Sequence, residues 1–183
     1  DPRVNHTTLV MANGALGGQV TGSWDSPTDA NYDRVNTSVL IPQGLSEAQV
    51  QAVWVKCADA NPTVSLPNSG ANAYAMVTEL GNVCRAIRTR YPNIRVVFLS
   101  SRIYAGYASS TLNPEPYAYE TAFAAKWLIG AQIAQITEAH PTLVEALREL
   151  EQLSGAHANV KDALEQVRAA ALCCDAHLVA PHE

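Results

Sequence analysis

Runs of basic residues are missing from this sequence. Twelve Lys and Arg stand against seventeen Asp and Glu, for a net charge of −5. The one local gathering, Arg85, Arg88, Arg90 and Arg95, lies within a single helix–strand unit and reads as a solvated face rather than a phosphate track. Nucleic acid is therefore not an expected partner. No apolar stretch approaches the roughly 18 residues of a membrane span, so no membrane partner is expected either.

Cysteine is sparse. Cys57 and Cys84 fall in expected core elements, while Cys173 and Cys174 are sequence neighbours. This is not the pattern of a disulfide-stapled small domain, and buried small hydrophobes account for it. A Cys57–Cys84 bridge requires their Cα atoms to come within bonding range. Cys173, Cys174, His177 and His182 lack the paired spacing usual for zinc. No metal and no cofactor are expected. The chain opens on Asp1 without a signal-peptide pattern, as expected of a processed product or a fragment. Two glycosylation sequons, Asn5-His6-Thr7 and Asn36-Thr37-Ser38, tilt the expected location toward an extracellular or periplasmic one.

What is present suits a soluble globular chain: 48% apolar and 16% charged residues over 183 positions, enough to bury a core without staples. Thr7–Ala12 is a short apolar run ending at Asn13-Gly14, which predicts a buried strand. Gly17 to Asn36 is rich in Gly, Ser, Asp, Asn and Pro and is expected to be an irregular loop. Ser46 with Gln49 three residues on predicts a capping box over about one helical turn. Ala52–Val55 reads as a second strand. Ala73, Met76, Val77, Leu80, Val83, Cys84 and Ile87 recur at the three- and four-residue steps of one helical face, and that helix must stop before Pro92. Ile94–Leu99 reads as a third strand. From Pro116 to about Ala139 a helix is expected, with Tyr119, Phe123, Trp127, Leu128 and Ile133 as its apolar members.

Strand, loop, strand, helix, strand is the order of a parallel sheet wrapped by helices. In such sheets the ligand crevice lies beyond the carboxyl ends of the strands. Three segments are thereby aimed at one rim: Asn13–Gln19, Lys56–Asn61 and Ser100–Tyr107. The glycine-rich first segment is open to three readings. It can be a dinucleotide turn, which would need a helix to open at the glycines. It can be a backbone N–H loop that stabilises an oxyanion. It can also be a tight turn that only requires positive φ.

Val10–Gln19, the strand end Trp54-Val55-Lys56 with Ala58, Leu99–Tyr107 and Asn113–Glu120 together resemble a bacterial branch of the SGNH (GDSL-like) hydrolases, over about residues 1–133. The resemblance implies an α/β fold: a three-layer α/β/α arrangement with a short parallel sheet, flavodoxin-like or SGNH-like, here closed by C-terminal helices. It implies a serine esterase or carbohydrate esterase acting on a small-molecule ester or an acylated carbohydrate. In that family a first-block Ser attacks, and its own N–H, a second-block Gly and a third-block Asn hold the oxyanion. Gly18 or Gly17 matches the Gly. Asp59 stands where the Asn is expected, and Asn61 is nearby but out of register. Gly14, Gln19, Arg102, Tyr104, Tyr107 and Glu120 would complete the oxyanion or substrate rim. The first-block Ser is not seen, and Asp175-Ala176-His177 is one residue short of the family's Asp-x-x-His. Ser23, Ser101 and His177 are the remaining catalytic candidates.

The chain divides by texture into a core over residues 1–136 and a charged, heptad-like stretch over 137–183. Leu143, Val144, Leu147 and Leu150 form one stripe there, and Val160, Ala163, Leu164, Val167 and Ala171 another. This stretch is expected to form a helical hairpin, packed on the core or at a homo-oligomer interface. The alternative function is a non-catalytic binding or scaffold domain that uses this helical surface.

Overall fold

The structure, a computed structural model, describes residues 5, 7–110 and 112–139 of the chain. The stripes expected in 137–183, and with them His177 and Cys173–Cys174, lie outside the described residues apart from positions 137–139. The described residues form a small α/β fold. Two parallel strands, β1 (Ala52–Val55) and β2 (Val96–Leu99), are joined by α2 (Asn72–Arg90), and two further helices, α1 (Ala30–Val35) and α3 (Tyr117–Ala139), pack nearby.

β1 and β2 are rich in Val with aromatic residues, the side chains that fit a pleated surface. Their register sets Ala52 opposite Val96, Trp54 opposite Phe98 and Val55 opposite Leu99. Side chains alternate across a strand, so Val53, Val55, Val97 and Leu99 turn toward the core formed with Val83, Ala86 and Ile87 of α2. The other face carries Trp54 and Phe98, which are 69% and 57% exposed. A parallel sheet is ordinarily covered on both faces. Here only one is covered by described residues.

α2 follows its sequence pattern closely. Ala73, Met76, Leu80, Val83 and Ile87 are buried. The helix ends at Arg90 with Tyr91 as its C-cap, one residue before Pro92. The expected capping box forms at Ser46, whose N–H donates to Gln49 Oε1 over 2.9 Å.

Three expectations differ from the structure. Thr7–Ala12 is not a strand; it is irregular, with Leu9, Val10 and Met11 exposed. A strand needs a ladder partner for its N–H and C=O groups, and none of the described residues supplies one. The stretch Gly17–Asn36 is not wholly irregular. It contains a 3₁₀ turn at Thr21–Ser23 and α1, which runs on through a π turn (Asn36–Leu40) and a 3₁₀ turn (Ile41–Gln43). The N–H of Ser26 donates to Asp29 Oδ2 over 2.8 Å just ahead of α1, and Tyr32, Val35 and Leu40 bury its apolar side in the core. In α3 the phase is shifted. Ala118, Thr121, Ala124 and Ala125 are buried, whereas Tyr119 and Ile133 are exposed. Small residues let α3 approach α2 closely. The larger Tyr119, Phe123 and Trp127 run along its flank at four-residue steps, and Trp127 stacks on Tyr74 at 5.1 Å.

Arg90 ties the last turn of α2 to the α1 region. Its Nε donates to Glu47 Oε1 over 3.0 Å, its Nη2 lies 2.9 Å from Asp33 Oδ1, and its guanidinium sits 5.7 Å from the Tyr32 ring centre. No helix among the described residues is long and apolar enough to cross a membrane.

Candidate functional site

The carboxyl ends of β1 and β2 release two loops on the same side, and a backbone hydrogen bond brings a third segment to them. The N–H of Thr21 donates to the carbonyl of Ala58 over 3.3 Å. The chain just after the glycine turn therefore lies beside the loop after β1. Arg102 follows β2 and is fixed by its N–H, which donates to Thr121 Oγ1 over 2.9 Å. Of the three segments expected at one rim, the loops after β1 and β2 leave the parallel sheet on the same side.

The glycines keep open surroundings. Gly18 adopts φ of +77°, which favours glycine, and a Cβ at Gly17 or Gly18 would meet nothing within 4 Å. Gly14 is different: its carbonyl accepts from Arg34 Nη2 over 2.7 Å, and an added Cβ would press on Val35 at 3.0 Å. Gln19 Oε1 accepts from Asn31 Nδ2 over 2.6 Å. No helix opens at these glycines, as a dinucleotide site would require. Gln19, Ser23, Asp29, Asn31 and Arg34 line an open groove of about 420 Å³.

Of the catalytic candidates, Ser23 and Ser101 lie among the described residues. Ser23 Oγ accepts the N–H of Val20 over 3.4 Å, which closes the local turn. The carbonyl of Ser101 accepts from Ser100 Oγ over 3.2 Å. All five histidines lie outside the described residues. Tyr104 and Tyr107 are exposed and meet edge to face at 5.7 Å. Asn61 has φ of 53°, and its N–H donates to the carbonyl of Leu112 over 2.7 Å.

The Asp59 carboxylate lies near Glu79 of α2. Burial, then the neighbouring Asp59, then the charge of Asp25, push the Glu79 carboxyl up to about 7. The Glu79 carboxyl therefore titrates near neutrality, and its closeness to Asp59 was missed from the sequence. A signal existed, since Glu79 falls at the three- and four-residue steps joining Met76 and Val83 on the buried face of α2. Cys57, at the same strand end, is a free thiol pushed up to about 11 by burial, with Arg102 opposing and Asp59 adding to the shift.

Glu120 is not on the open rim. It is 6% exposed, and its Oε1 accepts the N–H of Leu66 over 3.0 Å. Asn113, which sequence reasoning gave no role, donates from Nδ2 to the carbonyl of Asp59 over 3.2 Å. Among the described residues no three His, Cys, Asp or Glu side chains gather as a metal centre would need.

No protein-family model, curated protein or solved structure matches this chain.

Proposed function

We propose that this chain carries the substrate rim of an SGNH-type hydrolase domain of three-layer, flavodoxin-like α/β/α design, acting on an ester or acylated carbohydrate. The observation that carries the reading is the Thr21–Ala58 hydrogen bond. It sets Thr21, three residues past Gly18, beside the loop after β1, at the end of a parallel sheet where α/β proteins place ligands. Gly17 and Gly18 then offer backbone N–H groups to a developing oxyanion. Asp59 and Arg102 follow the ends of β1 and β2, and Glu79, pushed up to about 7, exchanges a proton near neutral pH. Within the described residues Ser23 and Ser101 have no base partnered to them, so this set of groups binds and polarises rather than attacks.

The test is backbone-amide NMR of the full chain titrated with an acetylated sugar and, separately, with the deacetylated sugar. Shifts at Gly17, Gly18 and Arg102 with the acetylated form alone are the expected result. Their absence with both sugars would overturn the reading. Turnover of an activated acetyl ester is expected to stay at the level of a control lacking the site. Turnover abolished by a serine-directed phosphonate would instead assign a nucleophile to Ser23, Ser100 or Ser101.

A second reading, a non-catalytic scaffold, is favoured by one observation: the uncovered sheet face bearing Trp54 and Phe98. Large exposed apolar groups side by side mark contact surfaces. A self-associating chain that binds neither sugar would support that reading.

A further inference from the structure

The side chains lining the open groove at α1 are tied into a hydrogen-bond relay with a fixed direction. Arg34 Nε donates to Asn31 Oδ1 over 3.3 Å, and Arg34 Nη2 donates to the Gly14 carbonyl over 2.7 Å. A guanidinium only donates, so the Asn31 amide must present its oxygen to Arg34 and its nitrogen elsewhere. Asn31 Nδ2 donates to the Ser23 carbonyl over 3.1 Å and to Gln19 Oε1 over 2.6 Å. Both hydrogens of Asn31 are thereby spent, and Gln19 is left with those of its Nε2. The Arg34 guanidinium also sits 6.0 Å from the Trp24 ring centre, a further contact that holds it in place.

What the relay leaves over is a mixed set of donors and acceptors. Among the described residues Gln19 Nε2 and Arg34 Nη1 find no acceptor. Ser23 Oγ accepts the Val20 N–H, and its own hydrogen remains to be donated. Asp29 Oδ2 accepts the Ser26 N–H, whereas Asp29 Oδ1 has no donor among the described residues. Arg34 and Asp29 line one groove without pairing, since the ion pairs among the described residues are made by Arg90. A simple anion would meet Arg34 but also the Asp29 charge, and a simple cation would meet the reverse. Neighbouring hydroxyls, each both donor and acceptor, answer the whole set. The groove, at about 420 Å³, falls within the range of small-ligand sites, about 300–1,000 Å³. We propose that it binds the ring of a neutral sugar, whose hydroxyls accept from Gln19 Nε2 and Arg34 Nη1 and donate to Asp29 Oδ1. This assignment deepens the reading of an acylated carbohydrate as substrate, and rests on that reading for the choice of a sugar over other polyols. Gln19, next to Gly18 in the chain, joins the ring site to the turn assigned to the acyl group.

The experiment follows the side-chain amide signals of Gln19 and Asn31 and the Arg34 Nε–H signal by NMR of the full chain. The ligands are the methyl glycosides of glucose, galactose, mannose and xylose, each free and singly acetylated. At least one glycoside is expected to move the groove signals in both forms, because the ring is common to both. Silence of these signals with every glycoside up to about 10⁻² M, a concentration that detects even millimolar binding, would overturn the proposal. A response at Gly17 and Gly18 with the groove silent would overturn it too, while leaving the hydrolase reading in place. A groove response to both forms with those glycines silent would support the ring site and remove the hydrolase reading. Asp29→Asn keeps an oxygen for the Ser26 N–H but replaces the free acceptor with a donor. It is expected to weaken binding by at least about 10-fold, the scale of one hydrogen bond to a charged group. Gln19→Glu, which keeps the acceptor for Asn31 and removes the free donors, is expected to do the same and serves if Asp29→Asn does not fold. Undiminished binding in either folded variant would overturn the proposal. So would acetate displacing the glycoside at equal concentration, which would make the groove an anion site.

Discussion

The Glu79 carboxyl of α2 lies beside the Asp59 carboxylate of the loop after β1, and burial, followed by this neighbour, lifts Glu79 from its ordinary 4.5 to about 7. Because the folded state holds the Glu79 proton more tightly than the unfolded chain does, the group's contribution to stability is complete below about pH 4.5. It is lost as pH rises through 7. Glu79→Gln should therefore flatten the fall in stability between these values, measured as the difference between variant and parent in urea unfolding at a series of pH. Parallel pH profiles for the two proteins would show that folding does not raise the proton affinity of Glu79.

Arg90 makes two contacts of unequal worth. Glu47 is 26% exposed and accepts a directed hydrogen bond, whereas Asp33 is 66% exposed and screened by solvent. Arg90→Ala is expected to cost about 1–3 kcal/mol, the range for hydrogen bonds to charged groups. Asp33→Ala is expected to cost roughly 0–1 kcal/mol, as for exposed ion pairs. Denaturant midpoints measure both. A larger loss at Asp33 than at Arg90 would contradict this ordering.

The helix phases can be read out by truncation. Leu80 is buried between α2 and α3, in one cluster with Met76 and Ala124, so Leu80→Ala should destabilise by about 2–5 kcal/mol. Ile133 is exposed on α3, so Ile133→Ala should stay within about 0.5 kcal/mol of the parent. A large effect at Ile133 would mean that its face is covered in solution, and self-association at raised concentration would identify a second copy as the cover.

Thiol chemistry should be slow. With the Cys57 thiol pushed up to about 11, only about one molecule in a thousand carries the thiolate at pH 8. Cys84 is also pushed up by burial. Disulfide-exchange reagents should therefore modify both groups at far below the rate of a free thiol until denaturant is added. Rapid modification in native buffer would show that the strand end opens readily.

Features of this protein governed by near neighbours in the chain were legible from the residues alone. The apolar steps of α2, its end before Pro92, the Ser46–Gln49 cap and the strands ending at Val55 and Leu99 all depend on interactions within a few positions. The order strand, helix, strand was legible too, because a helical connection between neighbouring strands makes them parallel. Tertiary structure decided what depends on distant partners. Thr7–Ala12 has the composition of a strand, but a strand exists only with a neighbour to complete its hydrogen bonds. The aromatic residues of α3 have the hydrophobicity of a core face, yet close approach to α2 selected the face with alanines. Asp59 stands where the resemblance expects an oxyanion-site Asn, and only the fold sets it near Glu79 on α2. Glu120, separated from Leu66 by 54 positions, was placed inside the molecule because the amide it binds arrives only when the two segments meet. A hydrogen bond between such segments carries no local pattern, so only the folded chain can specify it.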